Sequence, residues 1–321
     1  MVNVFVTRKI PEEGLRLLKE ANYNIKIYED KIISKNELIE NIKWADALFC
    51  MVTDKIDDEI ISNGKNLRVI ANYAAGYDNI NLKTASEKKI PVTNTPDVVT
   101  NATAEHTMAL ILALSRLIPE ADKFVRNGEF KEWSPNIFLG QELRGKTLGI
   151  IGLGKIGKTV AKIAKYGFGM KVFYYSRTRD KDYEEKDFNF SELNTLLKEA
   201  DFISLHVPLN QSTEYLINEN NLRIIKDNAY LINTSRGKVI DEKSLVKALK
   251  ENKLAGAALD VYENEPNLIS GLKELKNVIL TPHIGTATIK TRVEMGEAVS
   301  RNIIAVLSGK IPPNIVNKEI Y

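Results

Sequence analysis

Three glycines in the middle of the chain, Gly152, Gly154 and Gly157 in LGIIGLGKIGKTVAK, limit its fold more than any other feature. They stand as G-x-G-x-x-G. Leu148–Ile151 before them is a short apolar run of strand type, and Lys158–Tyr166 after them carries apolar residues at helical spacing. Strand, glycine turn and helix in that order aim the amides of a helix N-terminus at a phosphate. Gly152, Gly154, Lys155, Ile156 and Gly157 are therefore predicted to cradle the pyrophosphate of a dinucleotide. Glycines also serve bare turns, and here the flanking elements decide for the cradle. Almost half the chain precedes the motif, so that half needs a fold of its own.

The preceding residues alternate between strand and helix. Val2–Thr7 is a β-branched run, and Pro11 suits the first turn of a helix in PEEGLRLLKEA. Ile25–Tyr28, a helical pattern around Lys35–Ile42, and the strand ALFCMV at 47–52 follow. LRVIANY at 67–73 is a further strand, NLKTASEKK a helix and IPVTNT a last short strand. Five strands alternating with helices imply a parallel sheet covered on both faces. Asn101–Arg116 is predicted to be the helix that crosses into a second domain, and Pro119–Lys146 is a polar stretch bearing glycine and proline.

After the glycines the alternation resumes with KVFYYS, a helix at 191–199, FISLHV, AYLINT, a helix at 241–251, AGAALDV and NVILTP. With Leu148–Ile151 this is a six-strand doubly wound series. The final helix, Thr288–Leu307, has no partner strand there and is expected to return to the first domain. The fold class is α/β: a doubly wound Rossmann domain, residues 100–286, inserted into a smaller flavodoxin-like domain, residues 1–99 and 287–321. The motif is late because its domain interrupts another.

Composition excludes several classes. A net charge of +3 against 45 basic and 42 acidic residues, with no basic run, gives a nucleic-acid surface no support. The longest apolar run, Met108–Leu114, is too short to span a bilayer. MVNVFVTRKIPEE lacks a secretory layout, and Cys50 is the only cysteine, which rules out an intrachain disulfide and fits a reducing compartment. A cytoplasmic protein without nucleic acid, membrane or metal as partner is expected.

Dinucleotide chemistry asks for an acid–base group and a cation that polarises a carbonyl. Of three histidines, His106 in AEHTMAL suits packing or capping, and His206 in ISLHVPL ends a strand beside Pro208, where a structural role is the better reading. His283 follows Pro282 at the carboxyl end of the last strand, where ligands of open α/β sheets bind, and is the preferred acid–base residue. Arg236 follows AYLINT in NTSRGKVID, and Glu265 sits in VYENEP after the strand ending at Asp260. A carboxylate there can hold a histidine in one tautomer. Each alone reads as a surface residue; three strand-end groups with complementary roles read as a site.

Seven ordered motifs then give the chain a resemblance over nearly its whole length. NYAAGYDNI, TPDVVTNATAEHT, GKTLGIIGLGKIG, HVPLNQST, INTSRGKVID, ALDVYENEP and TPHIGTAT resemble the D-isomer-specific 2-hydroxyacid dehydrogenase family. The resemblance implies hydride transfer from NAD(P)H to a small 2-keto acid. It places the family's arginine, glutamate and histidine on Arg236, Glu265 and His283, and its backbone cradle for the substrate carboxylate on Ala74–Gly76, with Met51 and Val52 nearby. The family's usual glycine there is Ala74 or Ala75 in this chain. The resemblance extends the cofactor contacts to Val207, Pro208, Thr213, Thr234, Asp260 and Gly285. It also implies a homodimer, with Pro119–Gly145 as the intersubunit arm and Trp133 against the neighbouring subunit. MVTDKID and YAAGYDNI look most like the glyoxylate/hydroxypyruvate reductases. Phosphoglycerate dehydrogenases, other members of the family, cofactor-binding corepressors on the same fold and S-adenosylhomocysteine hydrolase-like enzymes are the alternatives.

The cofactor's 2′ group is read from KVFYYSRTRD at 171–180. NAD enzymes commonly carry an acid about 20 residues beyond the fingerprint. Here that place holds Ser176, Arg177 and Thr178, with Arg179 as a possible second cation and Asp180 the nearest acid. A cation and two hydroxyls favour NADP over NAD.

Overall fold

A computed structural model describes residues 1–321 except Asp30 and Glu185. The chain divides into two compact units: Met1–Val99 with Thr286–Tyr321, and Thr100–Gly285.

In the first unit a parallel sheet contains β1 (Asn3–Val6), β2 (Asn24–Ile27), β3 (Ala47–Cys50), β4 (Val69–Asn72) and β5 (Val92–Thr93). Their order is β2-β1-β3-β4-β5. Every residue of β3 and β4 is buried, which is why both strands are continuously apolar apart from Asn72; β2, at the edge, alternates with asparagine and lysine. The helices start where short polar side chains cap them. Ser34 and Glu37 form a reciprocal capping box for Lys35–Ile42, and Asp57, Asn81 and Thr288 cap Asp58–Asn63, Leu82–Glu87 and Ile289–Leu307. The last helix packs on the 3₁₀ turn Glu12–Leu15, close enough that Gly296 and Gly14 meet backbone to backbone. Ser300 Oγ donates to the Gly14 carbonyl at 3.0 Å.

The second unit holds a seven-stranded parallel sheet: β6 (Thr147–Ile151), β7 (Lys171–Tyr175), β8 (Asn189–Phe190), β9 (Phe202–Leu205), β10 (Tyr230–Asn233), β11 (Gly256–Leu259) and β12 (Val278–Leu280). The order is β12-β11-β10-β9-β6-β7-β8. Strand residues alternate between two cores. Phe202, Tyr230 and Ile232 face Met108 and Ile111 of helix Thr100–Ser115, while Ile203, Leu205 and Leu231 face Leu196, Leu245 and Leu249. Truncating Phe202 to alanine would cost about 3–5 kcal/mol.

The structure corrects the sequence reading in six places. β8 is a seventh strand, too short at two residues to show any periodicity. Ile118–Arg126, which overlaps the start of the polar stretch 119–146, is a helix with Pro119 in its first turn. Asp58–Asn63 and Glu219–Ile224 are further short helices, and PEEGLRLLKEA breaks into a 3₁₀ turn and the helix Arg16–Glu20. The helix after the glycines begins at Lys155 rather than Lys158.

Candidate active site

The chain runs from β6 outward to β8, then returns to lay down β9–β12 on the other side of β6. This reversal opens a crevice at the carboxyl ends of β6 and β9, the usual ligand site of such a sheet. The loops leaving β6, β7, β9, β10, β11 and β12 carry all the catalytic and cofactor residues read from the sequence.

The three glycines answer to different neighbours. Gly152 has φ +103°, and a Cβ there would lie 2.6 Å from the His206 carbonyl. A Cβ on Gly157 would lie 2.2 Å from the Gly152 oxygen. Gly154 is the N-cap of helix Lys155–Lys162, and a Cβ there meets nothing within 4 Å. Packing explains the first and third. The second leaves open approach to a helix N-terminus, which fits a pyrophosphate. Val207 Cγ1 walls the same turn, 2.9 Å from where a Gly152 Cβ would be. The 208–213 turn beside it is closed by Thr213 Oγ1, which donates to the Pro208 carbonyl at 2.5 Å. Thr234 Oγ1 is bonded to Thr107 Oγ1 at 2.9 Å.

At the end of β7, Ser176 Oγ donates to the Thr178 carbonyl at 2.5 Å. Arg177 is exposed and has no partner among the described residues. Arg179 is turned to Glu184, 2.5 Å away, and over the Phe190 ring. Asp180 is bonded to Lys158, which holds its carboxyl below the usual range, and it also accepts from the Tyr183 amide. The nearest acid is thus neutralised within the protein, and one cation stays outward.

His283 Nδ1 lies 2.8 Å from Glu265 Oε2, with both side chains about one-third exposed. The other Glu265 oxygen accepts from the Tyr262 amide at 3.0 Å. With Nδ1 engaged, Nε2 is the nitrogen left to exchange a proton with a ligand. His283 has φ +55°, a conformation that costs a non-glycine residue of order 1–3 kcal/mol and needs outside support. Asp260 supplies it. Its buried carboxylate accepts the amides of Ile284 and Gly285, both at 2.8 Å, and the Thr281 hydroxyl at 2.6 Å. His106 Nε2 lies 3.4 Å from the same carboxylate. Burial alone would raise the Asp260 carboxyl, but bonds from His106, Thr281 and Ile284 outweigh it and hold it below the usual range. Asp260, expected at the cofactor, therefore has both oxygens engaged by the His283 loop.

Arg236 follows β10 in extended backbone, its carbonyl held by Asn233 Nδ2 at 2.8 Å and its Nη1 donating to the Ser235 carbonyl at 2.8 Å. Gly237 is pressed against the next loop so closely that a Cβ would fall 1.8 Å from the Tyr262 carbonyl carbon. The Tyr262 hydroxyl reaches the Thr281 carbonyl at 2.9 Å. The loops of Arg236, Glu265 and His283 are therefore joined pairwise into one rigid edge. His206, by contrast, bonds Ser204 Oγ at 2.9 Å, and burial pushes its imidazole down to about 3, so it stays neutral.

In the first unit, Ala74–Gly76 follow β4 and Met51–Val52 follow β3. The carbonyls of Ala74, Ala75 and Gly76 are taken by the Thr95 amide at 2.9 Å, Asn94 Nδ2 at 2.6 Å and Asn72 Nδ2 at 2.8 Å. The Ala75 and Gly76 amides donate to no group among the described residues. Fixed carbonyls with amides to spare make an anion cradle. Asn94, Tyr262 and the bracing role of Asp260 escaped the sequence reading, because each depends on contacts between separate segments; Asn72, four residues from the carbonyl it holds, was not singled out either.

No three His, Cys, Asp or Glu side chains among the described residues form a group that could hold a metal ion, and no helix there is long and apolar enough to cross a membrane.

Residues 108–285 match the family model described as D-isomer specific 2-hydroxyacid dehydrogenase, NAD binding domain. The chain is 52% identical to a glyoxylate reductase of Thermococcus litoralis, covering 99% of this chain and 97% of that one. Its fold is similar to an NADPH-dependent glyoxylate/hydroxypyruvate reductase of Sinorhizobium meliloti solved with NADP and malonate, with TM-score 0.85, 29% identity, and 100% and 98% of the two chains covered. It is also similar to a D-lactate dehydrogenase of Aquifex aeolicus solved with NAD and lactic acid, with TM-score 0.85, 34% identity and 98% of each chain covered.

Proposed function

Because this chain belongs to the D-isomer specific 2-hydroxyacid dehydrogenase family, an NAD(P)-dependent oxidoreductase family, we propose that it reduces a small 2-keto acid to the 2-hydroxy acid, glyoxylate to the achiral glycolate or hydroxypyruvate to the D-2-hydroxy acid. The observation that carries this reading is the His283–Glu265 pair at 2.8 Å on the edge that also bears Arg236. Gly152, Gly154, Lys155, Ile156 and Gly157 would hold the pyrophosphate of the nicotinamide cofactor, which supplies the hydride when bound. The amides of Ala75 and Gly76 bind the substrate carboxylate. Arg236 draws on the keto oxygen and stabilises the negative charge that develops there. His283 delivers the proton to that oxygen from Nε2, and Glu265, hydrogen-bonded at Nδ1, stabilises the imidazolium before transfer and fixes the ring afterwards.

We further propose that NADPH is preferred. Support comes from Arg177, exposed and without a partner among the described residues, and from Asp180, whose charge is held by Lys158. A charge-assisted contact to the 2′-phosphate of ~1.5–3 kcal/mol corresponds to roughly tenfold to hundredfold in KM. The subunits pair as a homodimer through the 118–139 segment, which exposes Ile118, Val125, Phe130, Trp133 and Leu139, too many apolar side chains for a free surface. The buried, free thiol of Cys50 suits the reducing cytoplasm.

Cofactor absorbance with glyoxylate, hydroxypyruvate, pyruvate and 3-phosphohydroxypyruvate tests the reading. The first two should give the highest kcat/KM; oxidation of the cofactor by 3-phosphohydroxypyruvate alone would overturn it. With glyoxylate, NADPH should exceed NADH at least tenfold, and Arg177→Ala should remove most of that ratio by raising the KM for NADPH. Equal use of both cofactors, or an unchanged ratio in the variant, would refute the role of Arg177.

A further inference from the structure

The first sheet has a reversal of its own. The chain goes from β1 out to β2, then returns to place β3 on the other side of β1, so the crevice of this sheet lies at the carboxyl ends of β1 and β3. Thr7 and Arg8 leave β1 there, and Met51–Asp54 leave β3. The two loops are tied together. The Thr7 amide donates to the Phe49 carbonyl at 3.0 Å, the Thr7 hydroxyl bonds the buried Asp54 carboxylate, and the Met51 amide donates to that carboxylate at 2.7 Å. Arg8 is different. Its Nε and Nη2 are shut off from solvent and have no hydrogen-bond partner among the described residues. A guanidinium with two buried donors unmet is rare, and each unmet donor calls for an explanation.

We infer that Arg8 is a specificity residue of the substrate site, donating from Nε and Nη2 to the C3 hydroxyl of hydroxypyruvate. The inference rests on the reading above, in which the amides of Ala75 and Gly76 take the carboxylate. Those amides leave β4, two strand spacings or roughly 10 Å from β1, a gap that a three-carbon acid and an arginine side chain bridge together. The local charge balance selects the group. Arg8 lies near enough to Asp54 to oppose, by its charge, the upward push that burial gives that carboxyl. A cation already offset by a neighbouring acid suits a neutral hydroxymethyl group better than a second anion. Glyoxylate has no C3 and cannot use Arg8; pyruvate offers only a methyl group there.

The test compares hydroxypyruvate, glyoxylate, pyruvate and oxaloacetate in wild type, Arg8→Met, Arg8→Lys and the double variant Arg8→Met/Asp54→Asn, with thermal melting of each. Arg8→Met should lower kcat/KM for hydroxypyruvate roughly tenfold to hundredfold, mainly through KM, as expected for a lost charge-assisted bond. Glyoxylate should change less than about threefold on the same grounds, because no bond to it is lost. Arg8→Lys should fall between, since a point charge replaces a fork. The double variant, with both charges gone, should regain any lost melting temperature and keep the hydroxypyruvate deficit. Recovery of hydroxypyruvate use together with stability would make Arg8 only a counter-ion for Asp54 and overturn the inference. A parallel fall for glyoxylate would overturn it too. Preferential use of oxaloacetate by the wild type, lost in Arg8→Met, would assign Arg8 to a second carboxylate instead. A wild type that reduces glyoxylate but not hydroxypyruvate refutes this inference alone; one that reduces neither refutes the proposed function.

Discussion

The carboxyl edges of the two sheets are built on opposite plans. At the edge of β10–β12 the working groups are side chains, each gripped by other side chains: His283 by Glu265, its loop by Asp260, and the Glu265 and His283 loops by Tyr262. At the edge of β3–β5 the presented groups are backbone amides, and the side chains of Asn72 and Asn94 hold the carbonyls behind them. The first plan suits chemistry, which needs a proton donor and a cation in fixed orientation. The second suits recognition of a carboxylate, which any pair of aligned amides achieves. Substitutions in the first edge should therefore act on turnover, and those in the second on binding.

His283→Ala should cause the largest loss, lowering kcat by roughly 10²–10⁴ in a folded protein. Circular dichroism beside steady-state kinetics checks this, and near-normal turnover would remove His283 from the mechanism. Arg236→Ala should cost on the order of 10²–10³ in kcat/KM and touch both kcat and KM, with Arg236→Lys recovering only part because a point charge cannot reproduce the bidentate fork. An alanine variant with wild-type constants would reduce Arg236 to a surface residue.

Asp260→Asn tests whether the chemical edge depends on its brace. The amide cannot accept from Ile284, Gly285, Thr281 and His106 as the carboxylate does, so a loss of about 1–3 kcal/mol and a lower kcat are expected. The pH dependence has a definite sign. The folded Asp260 carboxyl lies below its usual value, so its contribution is present above about pH 4 and is lost as pH falls through the folded value. Urea melts from pH 7 downward should show this acid-side loss in the wild type and a shallower one in Asp260→Asn. Identical slopes would mean that Asp260 does not brace the loop.

The smallest effect is expected at the other edge. Asn94→Ala frees the Ala75 carbonyl, and the loss of one bond of ~0.5–1.5 kcal/mol should raise the KM for glyoxylate roughly twofold to tenfold with little change in kcat. A fall in kcat at constant KM would erase the contrast between the two edges.

Much of this arrangement was legible in the sequence. The alternation of β-branched runs with capped helical patterns specified two parallel sheets, because both signals are local: period and cap lie within a few residues of each other. Gly152, Gly154 and Gly157 pointed to a phosphate cradle because the strand and the helix that flank the turn are its immediate neighbours in the sequence. Arg236, Glu265 and His283 were legible one step less directly. Each was marked only by its place at a strand end, and their ordered motifs together pointed to one family. The short elements were not legible. Asn189–Phe190 has too few residues to show a period, and Ile118–Arg126 is hidden by the proline that opens it.

What the sequence by itself determined, then, is the kind of fold, the position of the glycine turn after β6 and the identity of the residues at the strand ends. Only the tertiary structure decided which of them are held and by what. Asp260 turns its carboxylate to the His283 loop, Asp180 gives its charge to Lys158, and Asn94 pins the Ala75 carbonyl. Arg8 is left with two buried donors, Nε and Nη2, that meet no partner among the described residues. The physical reason is that a hydrogen bond between residues far apart in the chain has no signature in either neighbourhood. It exists only once sheet order brings the two loops to the same edge.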